Sequence, residues 1–369
     1  MKKIFLLFSL FLMSNLFAQE DSIGESLEKM YENKEFEEII TYAYNSNEYS
    51  SKSLTLIGKS FFHLQDDQQA LDFFNRSIEM DEENSDAHYY RGMLKLYSND
   101  ADGALLDVMK ALAIHPDSGI YLSGLGDIQF IRGDNDEAKK AYLMATELDD
   151  VPHSTWMSLG NLFSDEGNYE KELSIYYIAK DLITEDEPLS QLWFKIGLTE
   201  FAHGSMEKAQ FAFDEVLNLN PNDGLAKEKI IQTFYQLEDY STADMYRQEL
   251  YDDFKNSKIH ESMKDGFFFD QFTYKNYNIM AFERFQEGVS SQNYPKHIFY
   301  VKDKKDSTVL TVQSEYSSNS KEKGFKKFSI TYQYGDKKEN TGNGFDELKD
   351  YPWLKNVVLK IIEENLTTR

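Results

Sequence analysis

The stretch GIYLSGLGDIQFIRGDNDEAKKAYLMATELDDVP, residues 119–152, decides the fold. Leu122, Leu125 and Gly126 recur at helical spacing, Arg132-Gly133-Asp134-Asn135 supplies polar and glycine residues suited to a chain reversal, and Ala138, Tyr142 and Ala145 restore the helical period. The segment reads as two amphipathic helices joined by a short turn.

The same unit recurs on both sides. Gly58, Gly92, Gly126 and Gly160 are 34 residues apart, Ala70, Ala104 and Ala138 follow the first three by twelve, and Ser77, Ala111, Ala145 and Ala179 follow all four by nineteen. Three ladders of small residues in one phase mark a repeat array. Small side chains are required where paired helices cross closely and where units stack. Asp165-Glu166-Gly167-Asn168-Tyr169 is a second copy of the turn. The second helix runs apolar through Ala104, Leu105, Val108, Ala111 and Leu112, and Pro116 and Pro221 stop it before the next unit.

This pattern resembles the tetratricopeptide repeat (TPR) family, whose signature sets leucine-like, glycine, aromatic, alanine and proline residues at fixed offsets. The next unit supplies Trp156, Leu159, Gly160, Phe163, Tyr176 and Ala179, with Glu172 where alanine is expected. After a three-residue insertion near Glu185 to Pro188, phase resumes with Trp193, Ile196, Gly197, Ala209, Phe213 and Pro221. Residues 224–257 are a weak unit that keeps Phe234, Tyr240 and Ala243 but has Ile231 for the glycine. Leu27, Tyr31, Phe36, Ile39 and Ala43 suggest a degenerate opening unit, as capping repeats require. The array is expected over residues 51–257, in units near 51–84, 85–118, 119–152, 153–189, 190–223 and 224–257, after a degenerate repeat at 19–50.

The resemblance implies a right-handed superhelix of helix pairs whose first helices line a groove for a peptide or partner helix. By offset, the groove residues are Lys59, Tyr89, Met93, Tyr97, Asp127, Phe130, Met157, Asn161 and Phe194. Aromatic and methionine side chains suit a surface that adapts to another chain, and they equally suit the filling of a tight inner curve. Repeat packing falls to Gly58, Gly92, Gly126, Gly160, Gly197, Ala70, Ala104, Ala138, Ala209, Ala111, Ala145 and Ala179. The lysine–asparagine clamp with which some members grip a C-terminal carboxylate is absent; Lys59 alone does not make it.

From about Lys258 the helical period gives way to alternation. Strands are expected at Gly266 to Tyr274, Tyr277 to Phe285, His297 to Lys302, Thr308 to Tyr316 and Lys326 to Gly335. Asp303-Lys304-Lys305-Asp306-Ser307 reads as a hairpin connection and Gly342-Asn343-Gly344 as a turn. A helix follows Pro352 with Leu354, Val357, Val358, Ile361, Ile362 and Leu366 on one stripe. Residues 258–369 are therefore expected to form an antiparallel sheet of about five strands covered by that helix, which makes the chain α+β overall, an all-α solenoid followed by a small sheet domain.

Lys2 and Lys3, the apolar run from Ile4 to Leu16 and small Ala18 match a cleaved secretory signal over residues 1–18, so the mature chain is expected to be periplasmic or secreted, with no stable membrane insertion. No cysteine is present for disulfides or for lipid attachment after the signal. Residues 258–369 carry a net charge of +2 and residues 19–257 a net charge of −29. Such an acidic array repels nucleic acid and anionic lipid.

The seven histidines are scattered without metal-binding spacing, and no phosphate loop or nucleophile elbow is present, so no metal, cofactor or catalytic residue is expected. The strongest carboxylate candidates are Asp265, Asp270, Glu283 and Glu287. The favoured reading is a non-enzymatic scaffold: the repeats hold a protein or peptide partner, and the C-terminal domain is a second docking module. The alternative is a C-terminal domain that binds a small ligand or carries an activity, with the repeats as a recruiting arm.

Overall fold

The structure, a computed structural model, describes residues 24–45, 49–285, 296–318, 326–335, 337–340 and 351–366. The signal segment, Glu287 and the Gly342-Asn343-Gly344 turn lie outside them. The chain divides into two compact units, Met1–Tyr176 and Tyr177–Arg369.

The first unit is helical: α1 (24–32), α2 (Phe36–Asn45), α3 (Ser51–His63), α4 (Asp67–Met80), α5 (Ser85–Tyr97), α6 (Ala101–Ile114), α7 (Gly119–Ile131), α8 (Asn135–Ala145), α9 (His153–Asp165) and most of α10 (Tyr169–Ala179). Each pair turns by one device. The first helix ends on a residue with positive φ, at Gln65, Asn99, Gly133 and Gly167, and the next N–H returns to a carbonyl five residues back, as in Asp134 N to Gln129 O at 2.8 Å. The residue making that bond then begins the second helix, and the Asp66 and Asp100 side chains cap its free N–H groups. Reversal and cap thus use two adjacent residues, which is why the turn copies so faithfully.

Pair packing explains the glycine ladder. A Cβ on Gly58 would meet the Phe74 ring at 2.7 Å, on Gly126 the Tyr142 ring at 2.4 Å, and on Gly160 the Tyr176 ring at 2.1 Å. Each ring lies sixteen residues beyond its glycine on the partner helix, and Gly92 faces the smaller Val108 at 3.0 Å. Ala70, Ala104, Ala111, Ala138 and Ala145 have no exposed surface, because the helices approach too closely for larger side chains.

The second unit contains α11 (Asp186–Ala202), α12 (Met206–Leu219), α13 (Gly224–Gln236) and α14 (Tyr240–Lys255), a 3₁₀ turn at Glu261–Met263, then the sheet and α15 (Tyr351–Leu366). The insertion near Glu185 to Pro188 lengthens the start of α11, where Pro188 sits in the first turn and costs no helical hydrogen bond. Gly197 makes room for Phe213 as in the first unit, and Ala179 and Ala209 are fully buried.

The sheet is an antiparallel meander in sequence order: β1 (Gly266–Tyr274), β2 (Tyr277–Arg284), β3 (Lys296–Lys302), β4 (Thr308–Ser318), β5 (Lys326–Tyr334) and β6 (Lys337–Asn340). The sixth strand exceeds the expected five; four residues with two lysines and a glutamate show no alternation and suit an edge. Asp303 caps the β3–β4 turn by accepting from Lys305 N and Ser307 N. Leu354, Val358, Ile361 and Ile362 of α15 share one core with Phe299, Val301 and Val312 of the sheet and with Ile230, Phe234, Leu250 and Tyr251 of α13 and α14.

The division between units falls at 176/177, whereas the change of sequence period falls near Lys258. The last helix pairs and the sheet are one body because α13 lies along the sheet's first edge. Glu228 Oε2 accepts from Phe268 N at 3.1 Å, Gln232 Nε2 donates to Phe268 O at 2.8 Å, and Gln236 Nε2 donates to Gln271 O at 2.8 Å. These side chains, four residues apart on one helical face, satisfy backbone groups that an open edge leaves bare.

Candidate functional site

The first helices of the first unit carry eight of the nine groove candidates, and the structure sorts them. Tyr89 and Met93 are buried, with Tyr89 stacked on Tyr121 at 4.9 Å, so these two fill the array. Asp127 is half-buried and accepts from the Tyr142 hydroxyl at 2.7 Å; burial raises its pKa and that hydrogen bond opposes the rise. Met157 is half-buried, and Asn161 is exposed and accepts from the Tyr176 hydroxyl at 3.2 Å. Tyr97 and Phe130 remain 65% and 49% exposed at the ends of successive first helices, α5 and α7. Phe194 belongs to the second unit, where its half-buried ring meets Phe213 at 5.7 Å.

Lys59 is the unusual member. Its Nζ lies 4.6 Å from the Tyr31 ring centroid and 4.7 Å from that of Tyr90, with Asp86 at 4.0 Å. Burial lowers its pKa, and Asp86 and Glu28 oppose that. Around it lies a cavity of about 220 Å³ lined by Glu28, Tyr31, Glu32, Lys52, Thr55, Leu56, Asn84 and Asp86.

A larger cleft of about 710 Å³ shares Lys52, Asn84 and Asp86, and continues along Glu83, Ser85, His115, Pro116, Asp117, Ser118, Ile120, Tyr121 and Asp150. Asp150 accepts from Ser118 Oγ at 3.0 Å and from Gly119 N at 2.6 Å, anchoring the first turn of α7. The Tyr121 hydroxyl bonds Asp86 and Ser85. This cleft runs along the starts of the first helices and the turns before them, rather than along their middles. Family offsets point to mid-helix positions and do not reach it; the repeated polar residues ahead of each first helix, Asn84 and Ser118, were its signal in the sequence.

The carboxylates of the second unit have other work. Asp270 is buried and accepts from Gln236 at 2.6 Å, from its neighbour Gln271 N at 2.8 Å and from the Tyr351 hydroxyl, with Lys355 Nζ at 3.3 Å. A register shift between Phe268 and Asp270 places it opposite Ala281, on the core face. Glu283 is fully buried against Arg247, with His297 Nε2 at 3.4 Å. Burial alone would raise its pKa, but Arg247 and His297 outweigh this and hold it below the usual carboxylate range. Asp265 is exposed and apart from the other two in burial. The structure therefore gives Asp270 and Glu283 core positions with protein partners. Among the described residues no cluster of three or more histidine, cysteine, aspartate or glutamate side chains could hold a metal, and no helix is long and apolar enough to cross a membrane.

An array of stacked helix pairs with a cleft along its first helices defines a protein–protein interaction scaffold. Residues 190–223 match the sequence model of the tetratricopeptide repeat. A TPR repeat-containing protein of Methanocaldococcus jannaschii is 27% identical over 168 residues, which are 44% of this chain and 29% of the relative, so the chain spans less than a third of that relative's length. Among solved structures the chain is similar to Pseudomonas aeruginosa pilF, with a TM-score of 0.47 and 16% identity over 55% of this chain and 90% of that one. It is also similar to the APC/C hetero-tetramer Cut9–Hcn1, with a TM-score of 0.48 and 15% identity over 60% of this chain and 44% of that one.

Proposed function

We propose that this protein is an exported adaptor whose first unit holds an extended segment of a partner polypeptide of the cell envelope, while residues 258–369 carry a second docking surface. The observation that carries the groove reading is that α5 and α7 bear the 710 Å³ cleft along their starts and the exposed rings of Tyr97 and Phe130 at their ends. Large aromatic faces left in water suit a partner's apolar side chains, and a cleft at the other end of the same helices extends the surface an elongated segment can follow. Export is supported by the lysine-led apolar run before Ala18.

The test is crosslinking in intact cells followed by mass spectrometry, on the unchanged chain and on Tyr97→Ser/Phe130→Ser. The unchanged chain should capture one dominant envelope or secreted protein, and the double variant should lose most of it. Equal capture by both would remove the groove from the account. The mature N-terminus, read by mass, should begin at Gln19; an intact Met1 would remove the cleaved signal.

A further inference from the structure

We propose that the Tyr31–Tyr90 ring pair is a receptor box for a lysine or arginine side chain of the partner, and that Lys59 occupies it in the free protein as a built-in competitor. This rests on the groove reading for the partner's location and adds the chemistry of one contact.

Two aromatic faces with an ammonium held 4.6 Å and 4.7 Å from their centroids are the geometry of cation recognition by ring quadrupoles. The walls are fixed before any ligand arrives. The Tyr31 hydroxyl bonds His63 Nε2 at 2.8 Å, and Tyr90 packs on Tyr89 at 5.1 Å and on Phe74 at 6.0 Å. Fixed walls remove the ordering cost that binding would otherwise carry. The cavity beside the box bears three carboxylates, Glu28, Glu32 and Asp86, against two lysines, and Lys52 is engaged by Glu28 at 2.6 Å. Withdrawing Lys59 would leave Asp86 and Glu32 lining the cavity beside the rings, a negative mouth for an incoming cation.

Lys59 is poorly placed to keep the box. Its burial disfavours its charge, and its carboxylate contact, Asp86 at 4.0 Å, is shared with the Tyr121 hydroxyl, which bonds the other Asp86 oxygen. A flexible four-carbon stem lets its ammonium swing into water when another cation arrives. A cation from a partner, held by further contacts along the groove, would take its place.

The experiment measures binding of acetyl-Gly-Lys-Gly-amide to the full chain by ligand-observed NMR, with the norleucine peptide as the uncharged control. Lys59→Ala should bind the lysine peptide about fivefold more tightly than the unchanged chain, the scale of one solvent-exposed cation–ring contact, and should gain nothing for norleucine. Adding Tyr31→Leu and Tyr90→Leu should abolish the gain. The proposal is overturned if Lys59→Ala binds no more tightly, if both peptides gain equally, or if the gain survives loss of the rings. Lys59→Ser replaces Lys59→Ala should the latter fail to fold by circular dichroism. Because the probes are tripeptides, failure here leaves the crosslinking result on Tyr97 and Phe130 standing, and failure there leaves this one.

Discussion

Arg247 on α14 donates two hydrogen bonds to one carboxylate oxygen of Glu283 on β2, Nε at 2.9 Å and Nη2 at 2.6 Å, and both side chains are buried. A buried pair of this kind is costly to break from one side, because the remaining charge loses its partner without regaining water. Arg247→Met should therefore destabilise the second unit by about 3–5 kcal/mol, read as a shift in the denaturant midpoint of the full chain. Arg247→Met/Glu283→Leu should recover much of that loss.

The same carboxylate sets an acid limit. Its folded pKa is depressed, so its contribution is complete above the unfolded value of about 4.3 and is lost as pH falls through the folded value. Denaturation followed between pH 7 and pH 2 should show stability declining below about pH 4.3. Glu283→Gln should be less stable at neutral pH and should decline less steeply in acid.

The pair joins a helix of the array to the sheet, so residues 258–369 are not expected to stand alone. A fragment 177–369 should unfold cooperatively with a near-ultraviolet circular dichroism signal. A fragment 258–369 should lack one, because it lacks the α13 side chains that cover the β1 edge and leaves Glu283 without Arg247.

Within the repeats, Gly160→Ala should cost about 1–3 kcal/mol, since its Cβ would lie 2.1 Å from the Tyr176 ring and overpacking carries that penalty. Thermal unfolding measures it.

The turns allow a gain. Gln65 and Glu238 adopt φ of 61° and 60° where Gly133, Gly167 and Gly204 stand in other repeats. Gln65→Gly should raise stability by up to about 1 kcal/mol, by relieving left-handed backbone strain on a non-glycine residue, and a higher melting temperature would show it.

The residues that could be read in advance are those whose neighbours lie at fixed short spacings. Gly126 with Ala138 and Ala145 announced a helix pair, and Phe299 and Val301 lie within a strand that alternation located. Asp270 could not be placed, because the bulge after Phe268 shifts the alternation by one residue and turns a carboxylate inward. The groove was legible as a set of helices but not as a surface. Tyr89 and Tyr97 sit about two turns apart on α5, yet one is buried against Tyr121 and the other stands in water. Tyr31, in a repeat too degenerate to align, gave no sign of meeting Lys59.

The sequence by itself determined the repeat: its 34-residue length, its turn, and the ladders of small residues where paired helices cross. These are local contacts that every copy must make again, so they leave a periodic trace. Only the tertiary structure decided that α13 and α14 belong with the sheet, that Glu283 is a core anion held by Arg247, and that Lys59 lies between two tyrosines. Each of those contacts is made once, between elements some thirty residues apart. Burial and desolvation fix their energy, and a single such contact has no period for a sequence to display.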